Sequence, residues 1–261
     1  MYRGFNIEIP EDLPEKFYKD GFNIYNDSKA KAKKTLDEFM LNNQSLSGTK
    51  ILENWFPKID AHIFLSHSHI DKKKAIILAG ILFNKFGIKT FIDSCIWGYS
   101  ANLLRNIDDN YCLNTEDESY NYTKRNYSNS HVNLMLSTAL NRMIDNSECI
   151  FFLNTPNSIS SNEVISRTKS PWIFSEIATT QIIRKKTPER LKPKTRMFSK
   201  GIQTNESATN LLTVEYDLEL SHLANFNLND LKKWKKLTSK KPHDALDNLY
   251  KMKPINKAFI I

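Results

Sequence analysis

The chain has 261 residues, of which 40% are hydrophobic, 25% charged and 11% aromatic. That balance excludes collagen-like, disulfide-scaffold and wholly disordered classes, and the length allows one large domain, or one and a half, around a full apolar core. Thirty-seven Lys and Arg against 29 Asp and Glu leave a net charge of +8, which favours anionic partners without choosing among them. No block of five or more basic residues occurs, so a dedicated nucleic-acid tail is not written here.

Cys95, Cys112 and Cys149 are few, odd in number and widely spaced, which matches neither a disulfide framework nor a zinc motif and points to a reduced cytoplasm. The start of the chain lacks the basic and apolar blocks of a signal peptide. The longest apolar run, Ala75 to Phe83, is nine residues, against the roughly 20 that cross a bilayer. A soluble protein without membrane contact is expected.

Residues 1–58 read as an N-terminal helical extension: a polar, Pro-punctuated start, then Asp27-Ser28 capping a helix whose Leu36, Phe39 and Met40 share a face. A second short helix follows Ser47, carries Ile51, Leu52, Trp55 and Phe56, and stops at Pro57. From residue 59 to 261 the pattern becomes α/β. AHIFLSHS reads as a buried strand, Asp71 opens a helix with Ala75, Leu78, Ala79, Leu82 and Phe86 at helical spacing, and Gly87 stops it before the strand IKTFID. Strand, helix and strand make a βαβ unit, hence a parallel sheet.

Ser94 to Tyr99 then reads as a loop and Ala101 to Ile107 as a brief helix. Residues 109–131, polar and tyrosine-rich, read as a long loop or insertion. Val132, Met135, Leu136, Ala139, Leu140, Met143 and Ile144 stripe the next helix, and ECIFFLN is a third strand. Ser170-Pro171 is an N-cap and first-turn pair opening a helix to about Lys186. TRMFSKGI and NLLTVEYDL are the candidate fourth and fifth strands, and Pro242 begins a last helix with Ala245, Leu246, Leu249 and Tyr250. Five strands alternating with helices predict a flavodoxin-like, doubly wound parallel sheet.

Ligands in such sheets bind beyond the carboxyl ends of the strands where strand order reverses, here between the first and third strands. Ser66 to His69, Asp93 to Tyr99 and the segment from Asn154 wall that position. No G-x-G-x-x-G or G-x-x-x-x-G-K-[ST] follows any strand, so a standard phosphate cradle is absent. In SPWIFSE, Trp172 and Glu176 are four apart and share one face at the mouth of that cleft. Taken alone, such a pair is more often a packing tryptophan and a solvated first-turn acid. His67 and His69 lack the neighbours a metal site needs and fit a phosphate contact or a solvated loop better. Asp93 suits local backbone hydrogen bonds as well as ligand contact. Lys232, Lys233, Lys235 and Lys236 around Trp234 read as a solvated helical face before a nucleic-acid surface. Tyr111, Tyr120, Tyr122 and Tyr127 fit a plain loop, a lid or a partner-reading surface.

HIFLSHSHIDKKKAIILAGILFNKFGIKTFIDS resembles the opening half of bacterial TIR (Toll/interleukin-1 receptor) domains, with a serine-rich turn after the first strand and F-I-D before the BB loop. PWIFSE is similar to the family's W-x-x-x-E motif, and the likeness covers about residues 60 to 220. The resemblance implies a TIR fold and cleavage of NAD+, with Glu176 as the catalytic residue, Trp172 beside the ligand, Ser66 and His67 lining the nucleotide pocket, and Asp93 and Trp97 on the BB loop. NAD+ is then the substrate; no cofactor or metal is implied. Some NAD-cleaving relatives carry arginines where this chain has Ser66-His67-Ser68-His69. The resemblance further implies a cyclic or otherwise modified ADP-ribose signal in anti-phage defence of the Thoeris type, with simple NAD depletion, giving linear ADP-ribose and nicotinamide, as a partly overlapping alternative. It also implies self-association through the BB loop, a separate effector that senses the product, and a phage-derived activator. The rival readings are a non-enzymatic TIR–TIR scaffold and, on net charge alone, a nucleic-acid-binding α/β protein.

Overall fold

The computed structural model describes residues 1–10, 12–30, 39, 45–56, 58–114, 119–160, 166–191, 215–237 and 240–254, with backbone alone at 29–30 and 96–99. Its centre is a five-stranded, all-parallel sheet formed by β1 (Arg3–Glu8), β2 (Ile63–Ser66), β3 (Thr90–Ile92), β4 (Cys149–Leu153) and a last strand, Ala224–Asn227. Across the sheet the order is β3, β2, β4, β1, last strand. β5 (Arg167–Thr168) and β6 (Tyr216–Asp217) form a separate antiparallel pair, which makes the last central strand β7. The fold is the expected flavodoxin-like α/β class, with helices flanking a parallel sheet.

Two of the five central strands are not the expected ones. Residues 1–58 are no appendage: β1 lies between β4 and β7, and all but its last residue are buried. Parallel strands covered on both sides are continuously apolar, yet RGFNIE mixes charge and amide among Phe5 and Ile7 and so carries a weak strand signal. Of the expected fifth strand, the Tyr216–Asp217 part belongs to the small β5–β6 pair and not to the central sheet. TRMFSKGI lies outside the described residues.

The helices are α1 (Tyr18–Ala30), α2 (Gly48–Trp55), α3 (Lys72–Phe86), α4 (Ser94–Tyr111), α5 (Tyr122–Asn146), α6 (Pro171–Ile182), α7 (Leu228–Lys236) and α8 (Pro242–Met252). Several starts follow the sequence signals. Ser47 accepts the Lys50 N–H at 3.3 Å, Ser170 accepts the Ile173 N–H at 3.3 Å, and Gly87 adopts φ 68° to end α3. Asp27 and Ser28 lie inside α1 and do not cap it; Leu36 and Met40 lie outside the described residues. α6 stops at Ile182, short of Lys186.

Further corrections concern the stretch after β3. Ser94 to Tyr99 is helical, as the first turns of an 18-residue α4 that also absorbs Ala101 to Ile107. Most of the expected loop 109–131 is helix too: α4 runs through Tyr111 and α5 begins at Tyr122. Asn121 supplies the N-cap of α5, accepting the Lys124 N–H at 3.0 Å. A polar helix face carries no apolar period, which is why composition alone concealed it.

The nine-residue apolar run Ala75–Phe83 finds its reason in packing. α1 packs along α3 and also reaches β3 and α4, and the backbones of α1 and α3 meet at two glycines. A Cβ on Gly80 would stand 2.0 Å from the Phe17 carbonyl oxygen, and one on Gly21 would stand 1.8 Å from that of Ile76. Packed against both α1 and β3, α3 buries Ala75 through Leu82 without a break. On the other helices α5 packs against α4, α6 and α2. The core then closes around Phe5, Phe64, Phe91, Phe151 and Trp234. Trp234 is a core residue stacked on Phe86 at 4.0 Å, and its indole N–H donates to the Ala245 carbonyl at 2.7 Å, so its flanking lysines occupy the outer side of α7.

Candidate active site

The pairing of β2 with β4, Leu65 opposite Phe151 and Ser66 opposite Phe152, makes the first and third expected strands direct neighbours. Their carboxyl ends therefore flank the position where the chain leaves β2 toward one edge and β4 toward the other. Three segments meet there. Ser66 ends β2 with His67 just beyond, Asp93 follows β3, and Glu176 lies on the second turn of α6. All four side chains are buried, Glu176 to within 1% of complete enclosure.

His67 Nδ1 stands 2.6 Å from Asp93 Oδ1, and the same carboxylate accepts the Ser94 N–H at 2.6 Å as the N-cap of α4. The local backbone role expected of Asp93 is thus present, joined to a histidine contact. Glu176 is the contrasting member. Burial first, and the Asp93 charge second, push its carboxyl well above the usual carboxylate range, while the Ser66 hydroxyl offsets part of that rise. Ser66 is near, yet neither Glu176 oxygen nor the Ser66 hydroxyl completes a hydrogen bond of ordinary geometry among the described residues. Asp93 Oδ2 and the Ser94 hydroxyl are in the same condition. Buried polar atoms are nearly always paired, because leaving one unpaired costs about 1–3 kcal/mol. Five such atoms on four adjoining residues mark a place kept for something other than stability.

The other expected residues divide. Trp172 is half-buried and packs against the main core, while His69 is exposed on the short turn before α3. Trp97 falls in the helical start of α4, with its side chain outside the description. Sequence reasoning missed Ser94, whose only signal was its place directly after the F-I-D end of β3. It also missed how Asp71 works. That carboxylate does not cap α3 but accepts from Thr155 Oγ1 at 2.5 Å and from Asn157 Nδ2 at 2.9 Å, tying the segment after β4 to the turn after β2. Tyr25 of α1 donates to the Ser94 carbonyl at 3.4 Å, so the N-terminal segment also braces the site.

A cavity of about 440 Å³ lies elsewhere, between the end of α4 and the start of α5, lined by Ile107, Tyr111, Cys112, Tyr127 and His131 among others. It shares no residue with the carboxyl cluster. Among the described residues no group of three His, Cys, Asp or Glu side chains is spaced to hold a metal ion, and no helix is long and apolar enough to cross a membrane. Comparison with family models, curated proteins and solved structures finds no match to this chain.

Proposed function

We propose that this chain is a TIR-domain enzyme that cleaves the nicotinamide–ribose bond of NAD+, with Glu176 as its catalytic residue. The observation that carries the reading is a buried, unsatisfied carboxyl at the strand-order reversal between β2 and β4, one helical turn after Trp172 on α6. The order of the short motifs, serine-rich turn, F-I-D and W-x-x-x-E, supports it from the sequence side.

A single carboxylate suits the chemistry. Breaking the C1′–N bond sends its electron pair to nicotinamide, which leaves as a neutral molecule, so no general acid is needed. Positive charge develops on the ribosyl ring, and an anion beneath it stabilises that charge. The carboxylate can also accept hydrogen bonds from the ribose hydroxyls and hold the sugar in place. Water then adds to C1′ and releases a proton to solvent to give linear ADP-ribose, or an internal nitrogen adds through its lone pair to give a cyclic product. Ser66 and Asp93 lie beside the carboxyl, His67 stands against Asp93, and Trp172 offers an aromatic face to the nicotinamide or base. Because Glu176 is enclosed, turnover requires the side chains covering it to move aside as substrate enters. An ADP-ribose-derived signal in anti-phage defence, read by a separate effector and switched on by a phage-derived activator in the cytoplasm, follows from the TIR resemblance alone.

The test is direct incubation of the purified protein with NAD+, following nicotinamide release. Glu176→Gln keeps size and hydrogen bonding but removes the charge, and is expected to lower the rate roughly a hundredfold or more. The enclosure of Glu176 favours one rival, a TIR scaffold that signals by contact without catalysis. No nicotinamide release by the wild type at any protein concentration would decide for that rival.

A further inference from the structure

NAD cleavage needs Glu176 as an anion under the developing cation, yet the geometry opposes that charge in the free protein. Glu176 is enclosed on α6 and faces a second carboxyl, Asp93, across the carboxyl ends of β2 and β3. The two differ in their partners. Asp93 Oδ1 has His67 Nδ1 at 2.6 Å and the Ser94 N–H at 2.6 Å, whereas both Glu176 oxygens and Asp93 Oδ2 lack hydrogen bonds of ordinary geometry among the described residues. Two buried carboxylates close enough to act on each other oppose each other's charge, so one proton belongs to the pair. The surroundings decide where it rests: Asp93 Oδ1 has His67 Nδ1 and the Ser94 N–H at 2.6 Å, whereas Glu176 has only the Ser66 hydroxyl near it as a donor among the described residues and is enclosed, so the proton rests on Glu176.

We propose that Glu176 and Asp93 form a carboxyl dyad sharing one proton, in which Asp93 Oδ2 accepts the proton that Glu176 gives up when a cationic substrate enters, while His67 holds Asp93 in position. The inference rests on the NAD-cleaving reading and deepens it. In the step, the Glu176 O–H bond breaks with its electron pair left on the carboxylate, and an O–H bond forms on Asp93. The site keeps the same total charge and no solvent base is needed. The arriving nicotinamide cation supplies the differential interaction, since it favours the anion directly beneath it.

Other charged groups near these elements are engaged elsewhere. Arg167 of β5 pairs with Asp217 of β6, and Asp145 of α5 meets Lys186. Arg142 of α5 does not figure among the groups acting on Glu176, for which the acting charge is that of Asp93. Near Asp93 and His67, Asp71 is bound by Thr155 and Asn157, and Lys72 lies over the Tyr25 ring at 4.6 Å. The dyad is therefore electrostatically its own unit. Asp93 and His67 act through Glu176 and are positioning residues.

The pH profile of nicotinamide release is the primary test. With the proton moved internally, wild-type kcat is flat from about pH 6 to about pH 8. Asp93→Asn removes the neighbouring charge, but burial, the larger cause, still holds the Glu176 carboxyl above its usual range and its proton must now leave to solvent, so kcat near pH 6 is expected to fall several-fold and to recover as pH rises, with KM little changed, because each unit of raised pKa removes about tenfold of the anion. A loss equal at every pH, or no loss, would overturn the dyad. If the variant does not fold, wild-type protein decides with the non-hydrolysable analogue carba-NAD. Infrared difference spectra with ¹³C-labelled Glu or Asp should show the protonated-carboxyl band passing from Glu to Asp, with no net proton released to unbuffered solution. Release of about one proton, or a band that stays on Glu, would overturn the proposal. A wild type that liberates no nicotinamide under any condition fails the NAD reading itself; an active wild type with parallel variant profiles fails the dyad alone.

Discussion

Glu176 places a stability signature on the same side chain as the proposed chemistry. Its carboxyl lies above its ordinary value near 4.5 in the folded state, so the folded protein binds this proton more tightly than the unfolded chain does. The sign follows: the contribution is intact below about pH 4.5 and is lost as pH rises toward the raised value, at up to about 1.4 kcal/mol per pH unit. Glu176→Gln, which has no proton to lose, is therefore expected to unfold at a higher temperature than wild type at pH 8, with the advantage shrinking toward pH 5. Thermal scans across that range check it, and a gap that does not change with pH would mean that Glu176 is ionised in the folded protein. Trp172 carries a mixed role. Half-buried against the core, it is expected to cost about 2 kcal/mol when replaced by alanine. If it also positions the incoming nucleophile, Trp172→Ala changes the ratio of cyclic to linear product more than it changes nicotinamide release, which chromatography of the products reads. At this scale the sequence was informative where residues sit on strand ends and first helical turns: Ser66, His67, Asp93 and Glu176 were all legible and converge in space. The link between His67 and Asp93 was not, because residues 26 apart in sequence meet only once β2 and β3 pair.

β1 is the element on which the molecule depends most and the one its sequence hides best. It pairs with β4 on one side and β7 on the other, and Phe5 is fully enclosed, edge-on to Phe151 at 5.4 Å and stacked with Tyr250 at 6.4 Å. Phe5→Ala is expected to lose about 3–5 kcal/mol, as large-to-small changes in a core do. A chain of residues 59–261 alone should lack a cooperative unfolding transition, since β4 and β7 would lose the strand between them. Denaturant titrations of both proteins test this; a truncated chain that unfolds cooperatively at full stability would restore the first 58 residues to the role of an appendage. Helices with an apolar stripe or a side-chain cap were readable from the sequence, as α2, α3, α6 and α8 were. The first halves of α4 and α5 were not, because Ser94–Tyr99 and Tyr122–His131 owe their helical state to what lies around them: an Asp93 cap fixed by His67, and an Asn121 cap closing a polar face. Tertiary context overrides propensity in such segments.

At the scale of the whole molecule, the fold class was legible from strands alternating with helices, while the strand order was not, since the outer half of the sheet is built from the two ends of the described chain, β1 and β7. That arrangement bears on how the site could answer to a partner. The segment expected to be a BB loop is instead the start of α4, whose first cap is Asp93. Anything that docks on residues 94–99 therefore acts on a helix directly joined to Asp93, and through it on Glu176. We expect self-association to use this lever. If a second copy docks there, specific NAD-cleaving activity rises with protein concentration, and Trp97→Ala lowers it without lowering the unfolding temperature. The alternative is that the α4 start serves only the fold of its own subunit, in which case activity per molecule is independent of concentration. A dilution series of nicotinamide release read beside light scattering separates the two: constant specific activity from a monomeric protein, with a fully active Trp97→Ala variant, removes the partner from the mechanism and leaves the site complete in one chain.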